Sequence, residues 1–138
     1  MIGTLKFNRT KRATGPVIDG PQAAYEAVQD IADLEQEVVV AVLLNQRNRS
    51  LGRVLVTVGT VNQSLVSPRE LFREAILANA VAIVIAHNHP SGDARPSRED
   101  IDLTLRMVRA GEIIGIRVLD HIVVGDGTFT SLQEAGHI

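Results

Sequence analysis

The sequence contains no cysteine among its 138 residues. A chain without cysteine forms no disulfide bond, offers no thiolate to a metal and has no cysteine nucleophile. The absence also excludes the zinc nucleobase deaminases, because their signature includes a P-C-x-x-C segment that supplies thiolate ligands. It fits a protein that works in a reducing compartment.

Aromatic residues and excess positive charge are scarce too. Aromatics make up 3% of the chain, and the net charge at pH 7 is -2. A dedicated nucleic-acid surface normally shows a basic stripe or stacking aromatics, so the composition argues against that class. The local exception is the tail, residues 1–15, which we interpret as a flexible, solvated arm. Its cations are Lys6, Arg9, Lys11 and Arg12.

Long apolar runs are missing as well. The longest, residues 38–44 and 81–86, are far shorter than the roughly 20 residues of a membrane span. The N-terminus shows no apolar segment that ends in a small-residue cleavage site, so no signal peptide is predicted. We therefore expect a soluble, cytoplasmic protein without a membrane partner. Its length and its 45% hydrophobic content predict one compact domain, at residues 16–138.

Helical and strand-like segments alternate along that domain. Residues 22–35 place apolar side chains at helical spacing and predict an amphipathic helix. A second helix is predicted at 67–80, where Ser67 is the N-cap. The third helix is predicted at 97–111 and ends with a glycine.

Apolar and β-branched segments between these helices predict the strands. They are residues 37–46, 53–59, 81–89 and the two arms of a D-G turn within 116–132, with 59–66 as a further short strand. Runs that are apolar at every position are typical of strands covered on both faces. The predicted fold class is therefore α/β, a single domain in which a mixed β-sheet carries helices on its faces.

Two histidines stand at the end of one apolar strand and precede a proline-glycine loop. Side chains two apart in a strand share a face, so His87 and His89 point the same way and Asn88 points to the opposite face. Neutral histidine nitrogens bind zinc at about 2.0–2.1 Å. The pair therefore predicts a metal site at the rigid end of a strand.

Asp100 is the third ligand that this reasoning suggests. It stands in the first turn of the next predicted helix, so the loop 90–96 could fold its carboxylate back onto the histidines. Two histidines, one aspartate and a water would form an open tetrahedral site of the catalytic type. A competing interpretation is that Ser97 and Asp100 form a capping box. The cap explains these two residues but not the histidine pair before them.

The pattern H-x-H, seven residues, then S-x-x-D resembles the motif of the JAMM (JAB/MPN) metalloproteases. The longer string HNHPSGDARPSREDIDLT, residues 87–104, looks like the bacterial RadC-like branch. LDHIVVG after it and GTVNQSLVSPREL before it extend the likeness to roughly residues 20–138. The resemblance implies a JAMM/MPN-like, cytidine-deaminase-like fold with a mixed β-sheet sandwiched by helices.

The resemblance also implies roles for single residues. His87, His89 and Asp100 would hold Zn²⁺, and Ser97 would support the reacting oxygen. The letters H-N-H do not indicate an HNH nuclease, whose residues are spread over a longer ββα unit.

A glutamate on an upstream strand is the general base in the JAMM family. We place this role at Glu37, directly before the strand 38–44, because a residue at a strand edge is rigidly held. Glu35 shares its strand parity, and Glu70 is a further acid upstream of the histidines; both remain alternatives. Glu70 is already explained by the cap at Ser67.

Four further polar residues near the motif have simpler interpretations. Asp120 and His121 belong to the RadC-like string, and we interpret them as structural residues or as hydrogen-bond partners of the ligands. Asp93 and Arg95 are expected on the solvent side of the loop.

The implied activity is the hydrolysis of a peptide or isopeptide bond by a metal-activated water. Glu37 would accept the proton and return it to the leaving nitrogen, and Ser97 would donate to the oxyanion. The implied partner is a protein or peptide with an extended tail, added beside a sheet edge for which 59–66 is the predicted segment.

Two other functions compete with hydrolysis. The RadC-like family has carried a DNA-repair label, so a nucleic-acid-binding protein without protease activity is the main alternative, with the basic tail as its contact. Longer members of the family have a helix-hairpin-helix region before this domain, and residues 1–138 predict none. The other alternative is a metal-stabilised interaction module without turnover.

Overall fold

The computed structural model describes residues 15–59 and 66–138. The basic tail cations and most of the predicted strand 59–66 lie outside these residues. The helices are α1 (Pro21–Glu26), α2 (Pro68–Leu77) and α3 (Arg98–Ile114), with a 3₁₀ helix at Gln29–Asp33. The strands are β1 (Val38–Leu44), β2 (Ser50–Val58), β3 (Ala82–Asn88), β4 (Arg117–Val124) and β5 (Phe129–Ser131). None of the described helices is long and apolar enough to cross a bilayer.

The strands form one mixed sheet in the order β2-β1-β3-β4-β5. β3 and β4 run parallel, and the other neighbouring pairs are antiparallel. β1 and β3 lie near the centre and are buried at every position, which explains why their sequences are apolar at both parities. The predicted α/β class with a mixed sheet is confirmed.

The sheet separates two hydrophobic cores. α2 and α3 pack on one face, where Phe72 is buried in the same cluster as Ile85 of β3. α1 and the 3₁₀ helix pack on the other face, where Ile31 shares a cluster with Val84. Odd-numbered residues of β3 therefore face α2 and α3, and even-numbered residues face α1 and the 3₁₀ helix.

Both predicted helix starts are confirmed. The Ser67 hydroxyl accepts a hydrogen bond from the backbone N–H of Glu70, and Pro68 is the first residue of α2. At α3 the capping box is complete, because Ser97 and Asp100 each accept a hydrogen bond from the other's backbone N–H. Side-chain caps of this kind satisfy N–H groups that have no partner inside the helix.

The single helix predicted for 22–35 is wrong. The chain leaves the helical conformation at Val28, whose φ of -133° and ψ of 2° separate α1 from the 3₁₀ helix. The break has tertiary causes: Val28 is fully buried, and the Arg53 guanidinium holds Asp30 through two hydrogen bonds of 2.6 Å. Packing and this ion pair outweigh the helical periodicity of the sequence.

Three further predicted boundaries need correction. α2 ends at Leu77 rather than at 80. β2 begins at Ser50 rather than at 53, because Ser50 pairs with Leu44 of β1; the Ser50 N–H also donates to the Pro16 carbonyl. α3 does not end at Gly111 but continues to Ile114. The residue that ends it is Gly115, whose φ of 89° is left-handed, the usual conformation of a glycine after a helix.

Gly111 has a packing role instead. It is buried inside α3, and a Cβ atom at this position would lie 2.3 Å from the carbonyl oxygen of Ile116 and 3.4 Å from the Phe72 ring. The Gly111 carbonyl accepts hydrogen bonds from the N–H groups of Gly115 and Ile116, so the chain folds back directly over this glycine. The turn from α3 into β4 therefore requires a residue without a side chain.

We predict that Gly111→Ala lowers the free energy of unfolding by about 1–3 kcal/mol. At an unobstructed helix position, alanine is more stabilising than glycine by roughly 1 kcal/mol. A lower free energy of unfolding would therefore be due to the steric conflict with Ile116. Urea unfolding measures the effect. Gly20→Ala, at the N-cap of α1, is the control without a steric conflict, because its Cβ would meet no described atom within 4 Å; it should cost less, since only a cap preference changes. If Gly111→Ala is as stable as the parent chain, the close approach is not required.

Candidate metal centre

The end of β3 and the start of α3 bring the three predicted metal ligands together. His87 Nε2 lies 3.1 Å from Asp100 Oδ1, and His89 Nε2 lies 3.0 Å from Asp100 Oδ2. The two histidine Nε2 atoms are 3.0 Å apart. The side chains of His87 and Asp100 are fully buried, whereas that of His89 is 19% exposed, so the cluster opens to solvent on the His89 side.

Asp100 takes part in both arrangements that the sequence left as alternatives. Its Oδ2 accepts the backbone N–H of Ser97 at 2.8 Å, which completes the cap of α3. The same oxygen faces His89, and the other oxygen, Oδ1, faces His87. The cap thus fixes the carboxylate in the orientation that points it at the histidines, so the two interpretations are compatible.

The electrostatics of the cluster favour a positive charge between its members. Burial alone would raise the pKa of Asp100, but the contacts with His87 and His89 and the Ser97 N–H hold it well below its usual range. The hydrogen bond with Asp100 raises the pKa of His89. A carboxylate that stays ionised while fully buried needs cationic partners.

The hydrogen bond of His89 to Asp93 defines which of its nitrogens is available to a metal ion. Its Nδ1 lies 2.8 Å from the backbone carbonyl of Asp93, and a carbonyl only accepts, so Nδ1 carries the proton. In neutral His89 the Nε2 is then an unprotonated nitrogen that faces Asp100 Oδ2. Two lone pairs 3.0 Å apart repel each other unless a proton or a metal ion lies between them.

The loop that supplies the Asp93 carbonyl is held against the turn between β4 and β5. The Gly92 carbonyl accepts the N–H of Asp126 at 2.9 Å, and the Gly92 N–H donates to the His89 carbonyl at 2.9 Å. A Cβ at Gly125 would lie 2.5 Å from the Gly92 carbonyl oxygen. These backbone contacts could not be predicted from the residue types alone.

The Asp93 and Arg95 side chains lie on the solvent side of the loop, as expected. They form an ion pair of 3.1 Å in which both side chains are mostly exposed. Asp93 nevertheless contributes to the site through its backbone.

His121 lies directly behind His87. Its Nε2 is 2.7 Å from His87 Nδ1, and its Nδ1 hydrogen-bonds the hydroxyl of Thr104, which donates to the Asp100 carbonyl at 2.7 Å. His121 is fully buried, and burial lowers its pKa well below the usual value, so it is neutral at pH 7. His121 is therefore a hydrogen-bond partner of a predicted ligand, whereas Thr104 was not singled out in the sequence.

Asp120, the neighbour of His121, turns to the opposite face of the sheet. Its carboxylate accepts hydrogen bonds from the Ser131 hydroxyl and from the backbone N–H groups of His121 and Gln133. Burial raises the pKa of Asp120. These contacts tie β4 to the C-terminal turn and give Asp120 a structural role.

Glu37 lies beside the histidines because β1 pairs with β3. The register sets Val39 opposite His87, and Glu37 Oε1 comes within 4.0 Å of His87 Nε2. Ligand atoms of Glu37, His87 and His89 all lie within 4.8 Å of one another. Of the two alternative glutamates, Glu35 is exposed next to this segment and Glu70 is exposed in the first turn of α2.

Asn88 holds the segment that carries Glu37. As predicted, it points to the face opposite His87, where its amide oxygen accepts the N–H of Val38 at 2.8 Å. Its amide nitrogen donates to the Gln36 carbonyl at 3.0 Å. The residues on both sides of Glu37 are thus fixed by the side chain that stands between the two histidines in the chain.

Ser97 is the N-cap of α3, next to the carboxylate. Its hydroxyl oxygen accepts the N–H of Asp100 at 3.0 Å. A hydroxyl that accepts one hydrogen bond keeps a proton to donate, so the cap leaves Ser97 able to act as a donor.

The cluster fits a divalent cation such as zinc. Asp100 Oδ1 is buried and has no hydrogen-bond partner among the described residues, and an oxygen of this kind is costly unless a cation compensates it. The facing atoms are 3.0–3.1 Å apart, near the roughly 3.3 Å between two donors of one tetrahedral zinc ion. Nitrogen and carboxylate oxygen are both ligands that zinc accepts.

The chain is similar to known proteins along most of its length. The sequence model of the RadC-like JAB domain matches residues 18–137. The UPF0758 protein of Desulforamulus reducens is 54% identical over 111 residues, which cover 80% of this chain and 49% of that protein. The UPF0758 protein of Shouchella clausii is 45% identical over 132 residues, which cover 95% of this chain and 57% of that protein.

The chain thus spans about half the length of the curated relatives that it matches. A five-stranded mixed sheet with three α-helices among the described residues is consistent with a JAB/MPN-like fold. The resemblance seen in residues 87–104 is confirmed, and the chain belongs to the family of RadC-like JAB domains.

Proposed function

We propose that this domain is a zinc-dependent hydrolase of the JAMM metalloprotease type, which cleaves a peptide or isopeptide bond. The observation that carries the proposal is the convergence of His87 and His89 on the buried carboxylate of Asp100, with a second carboxylate, Glu37, 4.0 Å from His87. Structural zinc sites have four protein ligands, whereas catalytic sites have three and an open position. Three ligands and partial exposure at His89 favour the catalytic class.

The residues divide the work of hydrolysis between them. His87, His89 and Asp100 would hold Zn²⁺, which supplies the Lewis acidity that makes a water molecule nucleophilic near neutral pH. Glu37 accepts a proton from the attacking water on Oε1 and returns it to the leaving nitrogen as the C–N bond breaks. Ser97 donates its hydroxyl proton to the oxygen on which negative charge develops.

The edge of the sheet supports an extended substrate. β2 is the outer strand of the described sheet, and its register with β1 pairs Val58 with Val38, directly after Glu37. The Gly59 N–H also donates to the Glu37 carbonyl at 2.7 Å. Ser50 at the start of β2 is already paired with Pro16, so a peptide tail would add to the outer edge of β2 beyond Ser50 and run towards the end of the sheet that carries Glu37.

Metal content and turnover test this function together. We predict near-stoichiometric zinc by elemental mass spectrometry in protein purified without chelator, and loss of that zinc in His89→Ala. Glu37→Gln should keep the zinc but lose at least about 100-fold in hydrolysis of peptide or isopeptide substrates, the typical contribution of a general base. Glu35→Gln is the matched control and should retain both properties.

Two outcomes would contradict different parts of the proposal, the metal site or the general base. Wild-type protein that contains no zinc and takes none up on titration would remove the metal site. Retained turnover in Glu37→Gln would leave the metal site intact but remove Glu37 as the base.

The pH dependence of stability gives a separate prediction for the metal-free protein. The pKa of His89 is raised in the folded state by Asp100, so its stabilising contribution is complete below the unfolded value of about 6.5 and is lost as the pH rises through the folded pKa. In the presence of a chelator, the Tm difference between wild type and His89→Gln should therefore shrink from about pH 6 to about pH 9.

Zinc should reverse this trend. Metal and proton compete for His89 Nε2, so the Tm increase caused by zinc should grow over the same pH range. Calorimetry with and without zinc measures both series. A metal-free Tm difference that grows with pH would show that Asp100 does not favour protonated His89.

A further inference from the structure

A chain of three buried hydrogen bonds runs from the Asp100 backbone carbonyl to His87, whose Nε2 faces the Asp100 side chain. The Asp100 carbonyl accepts from Thr104, Thr104 contacts His121, His121 contacts His87, and His87 Nε2 faces Asp100 Oδ1. All four residues are fully buried. This chain of hydrogen bonds joins α3, β4 and β3, and only the contact between His87 Nε2 and Asp100 belongs to the metal cluster.

The chemistry of each group fixes the direction of every hydrogen bond. The Asp100 carbonyl oxygen only accepts, so the single hydroxyl proton of Thr104 is donated to it over 2.7 Å. The Thr104 oxygen must then accept from His121, which places the proton of neutral His121 on Nδ1. The Nε2 of His121 is consequently an acceptor.

The acceptor at His121 Nε2 determines the tautomer of His87. Its Nδ1 is 2.7 Å from the His121 Nε2 acceptor, so Nδ1 carries the proton. Neutral His87 therefore has an unprotonated Nε2, and that atom points at Asp100 Oδ1 and His89 Nε2. An unprotonated nitrogen is the form of histidine that binds a metal.

We propose that Thr104 and His121 are positioning residues that fix His87 in its metal-binding tautomer; the inference rests on the hydrolase function proposed above. Metal-bound histidines usually donate their second N–H to a carboxylate, a carbonyl or a water. Here the acceptor is a neutral imidazole, which orients His87 without adding a negative charge to a site that already holds Asp100 and Glu37. The Thr104 hydroxyl bonds the Asp100 backbone carbonyl and the His121 ring, so it acts on His87 through His121.

Substitutions at Thr104 separate this role from simple packing. Thr104→Val keeps the shape but removes the hydroxyl, so His121 Nδ1–H loses its acceptor and the tautomers of both histidines are no longer fixed. We expect zinc affinity, measured by competition with a chromophoric chelator, to fall by about 10-fold to 100-fold, as for other partners of metal ligands. Thr104→Ser keeps the hydroxyl and should stay within about twofold of wild type.

The contrary results are equally specific. If Thr104→Val binds zinc as tightly as wild type, the inference is overturned, even if its Tm is lower, because a packing role alone would reduce stability without changing the tautomer. The inference is also overturned if Thr104→Ser loses as much affinity as Thr104→Val.

Nitrogen-15 NMR of the histidine rings in the metal-free wild type tests the tautomers directly and needs no variant. At about pH 8, where an ordinary imidazole is neutral, we expect protonated Nδ1 and unprotonated Nε2 in both His87 and His121. Protonation of His87 on Nε2 would overturn the inference. Wild-type protein that binds no zinc would overturn the hydrolase proposal instead, whereas the NMR result would still decide the tautomers.

Discussion

The buried carboxylate of Asp100 is the constraint around which this domain is arranged. An ionised carboxylate without solvent costs several kcal/mol unless its surroundings compensate the charge. The compensation comes from the first turn of α3, from the Ser97 N–H, and from two histidines that approach to 3.0–3.1 Å. Each contributor stands at the end of a regular element, so the geometry of the cluster depends on how β3 and α3 meet.

Three consecutive residues at the end of β3, His87, Asn88 and His89, organise both halves of the site. Because neighbouring strand residues point to opposite faces, His87 reaches the α3 side while Asn88 reaches the segment before β1. His89, just past the strand, completes the ligand pair on the more open side. One short stretch thus supplies the ligands and, through the backbone contacts of Asn88, also fixes the position of Glu37.

The sequence predicted the parts of this arrangement that depend on periodicity and local chemistry. The shared face of His87 and His89, the cap at Ser97 and the α/β class all follow from such rules. The break at Val28 could not be predicted, because it arises from burial and from the ion pair of Asp30 with the distant Arg53. The turn over Gly111 could not be predicted either, because the close approach of the Ile116 carbonyl exists only in the folded chain. The role of the Asp93 carbonyl could not be predicted from the sequence either. Every residue has a carbonyl, and only the folded loop places this one against His89.

The periodicity of α3 explains why Thr104 also escaped notice. Its buried residues follow helical spacing along one stripe: Asp100, Leu103, Thr104, Met107 and Gly111. A single stripe therefore contains a predicted ligand, its hydrogen-bond support, core side chains and the glycine that lets the chain turn into β4. The metal cluster is thus continuous with the hydrophobic core. A shift of α3 would move Asp100 away from the histidines, and core packing resists such a shift. Rigid packing of this one helix is what allows a buried carboxylate to keep its place.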